Sequence, residues 1–181
     1  MASTLSLHAR ALAFLAQREH SRLELARKLA RHCDDEAQIE TLLDDLQSKD
    51  LLSGQRFAES YIRRRASKFG RAKIAAELSQ HNLAAELVAD ALEPLSKEQQ
   101  LSQIETIWRK KFATKRASSF GASLEPSAAA HFDAFADVAM TEQERAKQTR
   151  FLLSRGFDPE LVRQWMRRMA KRSGNDAKLA S

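Results

Sequence analysis

Hydrophobic residues recur three and four positions apart along most of the chain, which is the spacing of amphipathic helices. Each such set places its apolar side chains on one face of a helix, so we interpret these positions as core. The clearest sets are Leu25 with Leu29; Ile39 with Leu42, Leu43 and Leu46; Ile74 with Leu78; and Leu161 with Trp165 and Met169.

Polar residues suited to capping mark several helix starts. Ser21 and Glu24, Ser96 and Gln99, and Thr141 and Glu144 have the spacing of a capping box. Asp158 precedes Pro159, which fits a polar cap followed by proline in the first helical position. These signals predict helices that begin directly after Ser21, Ser96, Thr141 and Asp158.

An internal repeat organises these helices. The segments around Leu29, Leu78 and Leu152 align over about twenty residues. In each copy a helix ends at a break, and a second helix follows. The breaks fall at Cys33, Asn82 and Gly156, and the second helices are anchored by Ile39, Val88 and Val162. Asn and Gly suit a left-handed helix terminus and Cys does not, so we expect a different cap in the first copy.

A leading helix is also predicted in each copy, at about 7–18, 55–68 and 97–112. The sequence therefore predicts an all-α protein of three tandem three-helix repeats, at 7–52, 53–95 and 96–172. The third repeat is interrupted at about 113–140, where Ala, Ser, Gly and Pro predict a mobile loop with a short helix near its end. We expect a frayed tail at 173–181.

Composition limits the function classes. The 181 residues are 43% hydrophobic, which argues against a chain that is disordered as a whole. Cys33 is the single cysteine, so internal disulfides and multi-cysteine metal sites are excluded. The apolar runs are too short for a membrane span and no signal peptide is recognisable, so we expect a cytoplasmic protein.

Catalytic motifs are absent from the sequence. The histidines show no metal-ligand spacing, and histidines near helix ends such as His32 and His81 are interpreted as caps or surface residues. Phosphate-binding glycine loops and Ser or Cys nucleophile motifs are also missing. We therefore expect no enzyme activity, cofactor or metal.

The formal charge of +6 favours an acidic partner. Basic residues concentrate at 53–83, with seven cations and two acids, and at 141–181, with ten and five. In the first region Arg65 falls within the apolar arc of its helix and is expected to extend along it. Better contact candidates are Arg63 alone, Arg64 with Lys68 one helical turn later, and Arg71 with Lys73, where cations oppose the dipole of the next helix.

The last predicted helix carries a basic stripe, formed by Arg163, Arg167 and Lys171 at i, i+4 and i+8. The stripe lies opposite an apolar arc of Leu161, Val162, Trp165, Met166 and Met169. It is either a solvated face whose cations complement the helix C-terminus, or a contact surface for phosphates or a carboxylate-rich protein.

Three stretches resemble one protein family, the RecX regulatory proteins of bacteria. They are 11–29, 56–78 and 144–166, and the likeness extends over about 9–170. Its most specific element is R-F-A-x-x-Y-I-R, carried by Arg56, Phe57, Ala58, Tyr61, Ile62 and Arg63. A second is R-x-x-x-L-L-x-R-G-F, carried by Lys147 to Phe157 and including Phe151, Leu152 and Gly156. The long 113–140 segment and Cys33 depart from the family pattern.

The resemblance implies a modulator of the RecA recombinase, usually an inhibitor, that acts in DNA repair and the SOS response. Such proteins are elongated, curved arrays of three three-helix units that lie in the groove of the RecA filament. They are expected to lower its ATPase, strand-exchange and co-protease activities. For this chain we expect a monomer and, besides RecA, weak contact with single- or double-stranded DNA.

Our leading hypothesis is therefore a RecA-binding regulator. Its expected contacts with the filament or its DNA are Arg63, Arg64, Lys68, Arg71, Lys73, Arg163, Arg167 and Lys171. We assign Phe57 and Tyr61 to the core. The alternatives are a sequence-independent DNA-binding helical module that uses the same cations, and a helical adaptor for another protein.

Overall fold

The computed structural model describes residues 5–113 and 141–179, with side chains at 5–112 and 141–170. Within these ranges it contains nine α-helices, one π-helical turn and no strand, which confirms the all-α prediction. The helices are α1 (Leu7–Gln17), α2 (Arg22–Leu29), α3 (Glu36–Ser48), α4 (Gly54–Arg65), α5 (Arg71–Ser79), α6 (Ala85–Leu92), α7 (Lys97–Trp108), α8 (Glu142–Ser154) and α9 (Pro159–Leu179), and the π-helical turn at Arg109–Ala113 follows α7. The interruption predicted at 113–140 lies outside the described residues, apart from the backbone of its first residue.

The predicted helix starts are confirmed. Ser96 and Thr141 form complete capping boxes. Asp158 Oδ1 accepts hydrogen bonds from the backbone N–H groups of Glu160, at 2.8 Å, and Leu161, at 3.1 Å. Ser21 Oγ accepts a hydrogen bond from the N–H of Glu24. The Glu24 carboxylate pairs with Arg18 at 2.9 Å instead of accepting from the Ser21 N–H, so this capping box is incomplete.

The breaks between helices also follow the repeat. Asn82 has φ 57° and Gly156 has φ 79°, the left-handed conformation that the sequence predicts at both positions. Cys33 is not among the described residues with positive φ, and its thiol lies 3.1 Å from Gln38 Oε1. The next helix is capped by Asp35, whose carboxylate accepts from the N–H of Gln38. The first copy is thus capped differently, as expected.

The chain divides into two compact units: unit 1 lies within 1–65 and 74–94, and unit 2 within 66–73 and 95–181. In unit 1, helices α1 to α3 enclose Ala11, Leu25, Leu29, Ile39, Leu43, Leu46 and Leu52. Helices α4 to α6 contribute a second buried group of Phe57, Ala58, Ile62, Ile74, Leu78, Val88 and Leu92. The residue bounds predicted for the three repeats stay a prediction.

A buried histidine ties α1 to α2 in unit 1. His20 is fully buried, and its Nδ1 donates to the carbonyl oxygen of Arg18 at 2.8 Å. Since a carbonyl only accepts, the neutral ring leaves Nε2 to accept from Lys28 Nζ, at 2.8 Å. Burial lowers the pKa of His20, and the nearby charges of Arg18 and Lys28 lower it further.

The core of unit 2 is built around two tryptophans. Trp108 and Trp165 lie 5.3 Å apart between ring centroids, and Trp108 Nε1 donates to buried Gln148 Oε1 at 2.8 Å. Seven further buried residues complete this core: Ile104, Ile107, Leu152, Phe157, Leu161, Val162 and Met166. The apolar arc predicted for the last helix is therefore its buried face.

Helix α4 ends earlier than predicted, at Arg65, because the chain that follows is bound within unit 2. The Gly70 N–H donates to the Arg155 carbonyl at 2.8 Å, and the Ala72 N–H donates to that of Gly156 at 3.2 Å. A Cβ atom on Gly70 would lie 2.4 Å from the Gly156 carbonyl oxygen, so only glycine permits this approach. The predicted pairing of Arg64 with Lys68 on one helix is therefore wrong.

Helix α9 also differs from the prediction at its end. Its backbone is helical as far as Leu179, within the segment that the sequence predicts to be frayed. The segment beyond Pro159 contains no further proline, and Ala, Lys and Leu near its end favour helix over the single break offered by Gly174.

No helix in the described ranges is long and apolar enough to cross a membrane.

Replacing Gly156 by alanine is expected to destabilise the protein by about 2 kcal/mol or more, since it adds a Cβ at positive φ. That Cβ would lie 2.5 Å from the Lys73 backbone nitrogen. Gly54→Ala is the control, because its Cβ would meet only leucine side chains, the nearest at 3.2 Å. The free energy of unfolding in urea measures both, and equal small losses would contradict the role of Gly156.

The stability of the protein is expected to fall as the pH drops below about 6.5, the ordinary pKa of histidine. Below that pH the unfolded chain protonates His20, whereas the folded chain binds that proton only at a lower pH because its pKa is lowered. One such proton gives a slope of at most about 1.4 kcal/mol per pH unit. Urea unfolding between pH 5.5 and 7.5 should show this slope reduced in His20→Gln and unchanged in His32→Gln, where the histidine is exposed.

Candidate functional site

Arg56, the first residue of the R-F-A-x-x-Y-I-R element, connects two turns of unit 1 through hydrogen bonds. Its Nε donates to Glu19 Oε1 at 3.0 Å, and its two other guanidinium nitrogens donate to the side chain and backbone carbonyl of Asp50. Asp50 has φ 52°, a strained turn that the sequence did not reveal. The hydrogen bonds to Glu19 and Asp50 raise the pKa of Arg56. This motif residue therefore fixes the turns around α4.

The other motif residues also hold α4 in place. Phe57 is fully buried and Ile62 nearly so. The Tyr61 hydroxyl donates to Glu77 Oε2 at 3.1 Å, and burial together with this carboxylate raises the pKa of Tyr61. Arg65 forms a bidentate pair with the same carboxylate, with its Nε 2.8 Å from Oε2. Arg65 was expected to extend along the apolar arc, and its ion pair with Glu77 fixes it instead.

His81 lies inside this arrangement and not at the surface or in a cap. Its ring centroid is 4.9 Å from that of Phe57 and 5.4 Å from that of Tyr61. Its Nδ1 lies 3.3 Å from Ser21 Oγ and 3.7 Å from Glu24 Oε1. A nucleophile relay needs the serine and the acid on opposite ring nitrogens, whereas both contact Nδ1 here and Ser21 is fully buried. The Ser21, His81 and Glu24 group is therefore structural.

The cations predicted on α4 are exposed near its C-terminus. Arg63 and Arg64 are both exposed, and the Arg64 guanidinium lies 5.8 Å from the centroid of the Tyr61 ring. Positive charge is favourable at this end of a helix. Both residues belong to unit 1, whereas Lys68, Arg71 and Lys73 belong to unit 2. The predicted basic region around α4 is thus divided between the two units.

In unit 2 a row of alternating cations and aromatic rings includes Lys73. In order, it contains Lys73, Phe69, Arg155, Phe151 and Lys111, which we call the basic ladder. Lys73 Nζ is 4.8 Å from the Phe69 centroid, and Lys111 Nζ is 5.8 Å from that of Phe151. The Arg155 guanidinium lies 5.2 Å from the Phe69 centroid and 5.0 Å from that of Phe151. These are cation–π distances.

The basic ladder depends on the close approach of the two glycines. Gly70 follows Phe69 and Gly156 follows Arg155, so the backbone bonds that join these segments bring the ring and the guanidinium together. Arg155 Nη1 also donates to the Lys68 carbonyl at 3.1 Å. Sequence reasoning selected Lys68, Arg71 and Lys73 but missed Arg155 and Lys111. The R-G-F element already contained Arg155, and only its contact with Phe69 was not visible in the sequence.

The basic stripe of α9 is placed as predicted where its side chains are described. Arg163 and Arg167 are exposed on the face opposite the buried arc. Arg163 pairs with Glu160 at 2.6 Å, but both side chains are more than half exposed, so the pair is weak. Arg167 has no ion pair with any residue that the structure describes. The side chain of Lys171 lies outside the described residues.

The remaining residues of the third-repeat element build the core of unit 2. Leu152 is fully buried and Phe157 nearly so, while Phe151 is half-buried and meets Phe112 edge-on at 5.3 Å. Gly156 supplies the turn between α8 and α9. Most family-motif residues thus maintain the fold, whereas Arg63, Arg64, Arg163 and Arg167 are exposed.

Comparisons with known proteins point to one family. A model described as the second three-helix domain of RecX matches residues 55–92, and one described as the third three-helix domain matches 138–166. The crystal structure of RecX from Lactobacillus salivarius superposes with a TM-score of 0.67 at 21% identity, covering 90% of this chain and 94% of that one. At this identity, the superposition demonstrates a common fold.

Relatives with higher identity extend over nearly the whole chain. The regulatory protein RecX of Leptothrix cholodnii is 42% identical over 163 residues, which cover 90% of this chain and 88% of the relative. That of Herminiimonas arsenicoxydans is 36% identical over 171 residues, covering 94% and 96%. The similarity therefore includes the α1–α3 region as well as the two matched domains, and the chain belongs to the RecX family of regulatory proteins.

Proposed function

We propose that this protein binds the RecA nucleoprotein filament and inhibits its ATPase, strand-exchange and co-protease activities. The observation that carries this proposal is the similarity to regulatory RecX proteins over nearly their full length. A protein of this kind acts by binding, with no covalent step. Its effect on RecA then depends on which surfaces meet the filament.

Exposed cations supported by a packed core are the groups best suited to that contact. In α9 the buried Trp165 and Val162 fix the helix, so Arg167 is presented from a rigid element. Exposed basic groups increase the rate of encounter with an acidic surface and fix its orientation. We therefore assign the basic stripe of α9, together with Arg63 and Arg64 of α4, to the filament contact.

Inhibition requires more than contact. A ligand shifts an equilibrium only by its difference in affinity for the two states. The protein must therefore bind a slowly hydrolysing or shortening form of the filament more tightly than the active form. Binding of this kind acts at low ratios of inhibitor to RecA, whereas a module that only covers DNA phosphates must be present in amounts sufficient to coat the strand.

The DNA-dependent ATPase of RecA, titrated with the full-length chain at two salt concentrations, tests the proposal. We expect inhibition well below one copy per RecA that persists at the higher salt, because protein contacts add to the charge attraction. Inhibition that needs enough protein to coat the DNA and disappears with salt would favour the DNA-binding module. No inhibition at either salt would reject both accounts.

Charge reversal on α9 tests the assigned contact. Arg167→Glu with Lys171→Glu is expected to weaken inhibition by about tenfold, which corresponds to about 1.4 kcal/mol of lost binding free energy. Arg163 is left unchanged because a glutamate there would face Glu160 three residues earlier.

The matched control is Lys97→Glu with Arg145→Glu, which reverses one lysine and one arginine exposed elsewhere in unit 2. Both variants should keep the helical circular dichroism of the parent protein, because Lys97, Arg145 and Arg167 are exposed and the helical spacing of the sequence predicts Lys171 on the face opposite the apolar arc. Equal inhibition by the stripe variant and the control would show that the α9 stripe does not contact the filament.

A further inference from the structure

We propose that the basic ladder of unit 2 binds the backbone phosphates of a nucleic acid. The ligand class is a phosphodiester strand, and the cations that would contact it are Lys73, Arg155 and Lys111, with Phe69 and Phe151 between them. This site goes beyond the proposed action on RecA, because it requires no protein partner and involves different residues from the α9 stripe.

The geometry of Arg155 is the first argument. Its guanidinium is close to two rings, and one of its nitrogens donates to the Lys68 carbonyl. The side chain is therefore held in one orientation, which reduces the entropy that a flexible arginine loses on binding. A guanidinium has five N–H donors, so donors remain after this one hydrogen bond. A planar donor group held in this way suits a phosphate, which it can bind through two parallel bonds.

Charge is the second argument. The basic ladder is built from segments 66–73, 109–113 and 147–155, and each of these contains three Lys or Arg residues and no Asp or Glu. In the described part of the chain, Lys73, Lys111 and Arg155 form no ion pair. Clustered cations without acids repel one another, and an anionic ligand relieves that repulsion.

The same composition favours a nucleic acid over a protein surface. Protein surfaces carry charges of both signs interspersed, so a large all-cationic cluster meets repulsion as well as attraction there. Each unit of a nucleic acid backbone is negative. Two cations already contact each ring, Lys73 and Arg155 at Phe69, and Arg155 and Lys111 at Phe151. We therefore assign the contact to phosphates rather than to stacked bases, and binding should be independent of sequence.

The test measures binding of the full-length chain to a fluorescent oligothymidine and to a mixed-sequence duplex, without RecA, over a range of salt concentrations. Lys73→Gln with Lys111→Gln removes the two outer cations and leaves Arg155, with its bond to Lys68, in place. The slope of log K against log salt should become shallower by about 1.4 for the single strand and by about 1.8 for the duplex, since each lost phosphate contact contributes about 0.7 or 0.9.

The matched control is Lys49→Gln with Lys97→Gln, which removes the same charge from two exposed lysines outside the basic ladder. It should leave the slope within about 0.3 of the parent value if binding is localised. Circular dichroism and the urea midpoint confirm that both variants fold. An oligothymidine and a mixed-sequence single strand of the same length should lose affinity equally, because no base is read.

Two results would overturn the proposal. The first is an unchanged slope in the basic ladder variant, or equal changes in the variant and the control. The second is intact DNA binding combined with weaker inhibition of RecA, which would assign the basic ladder to carboxylates of the protein partner. Because the DNA assay contains no RecA, its failure leaves the RecA proposal standing, and failure of the unaltered protein to inhibit RecA leaves this site standing.

Discussion

Two backbone hydrogen bonds attach residues 66–73 to the turn between α8 and α9, and the arrangement of unit 2 depends on them. They join Gly70 to the Arg155 carbonyl and Ala72 to the Gly156 carbonyl. The approach is so close that a Cβ atom on either glycine would lie 2.4 Å from an atom of the opposite segment. Backbone groups satisfied in this way avoid the cost of unpaired buried donors.

This attachment determines which charges lie together. It ends α4 at Arg65, separates Lys68 from the helix of Arg64, and places Phe69 beside Arg155. Lys73 and Lys111 then lie at the two ends of one basic ladder, although they are far apart in the sequence. In the sequence these residues are recognisable only as cation-rich segments, whereas in the fold they form the ordered row of the basic ladder.

The family motifs have a different role from the exposed cations. Arg56 donates a hydrogen bond to Glu19, and Phe57 is buried in the core. The Tyr61 hydroxyl donates to Glu77. Such groups preserve the shape of unit 1 and have little capacity left for a partner. Arg167, which belongs to neither motif, is exposed on a helix whose opposite face is packed. The packed side chains of α9 and its exposed cations therefore lie on opposite faces of the helix.

The sequence by itself determined the helices, their caps and their buried faces. Periodicity, capping spacing and left-handed breaks at Asn82 and Gly156 depend on residues within a turn or two of one another, so local chemistry decides them. The basic stripe on α9 could be predicted from the sequence for the same reason, because its residues are spaced one helical turn apart. The resemblance to a family then suggested a function that no local sequence pattern indicated.

Tertiary structure alone decided the contacts between distant residues. The burial of His20 beside Lys28, the enclosure of His81 by Phe57 and Tyr61, and the position of Arg155 beside Phe69 all join segments that come together only on folding. A histidine or arginine near a helix end has the same local sequence pattern whether it faces water or a ring. Its partner, and hence its burial, is fixed only when the helices pack.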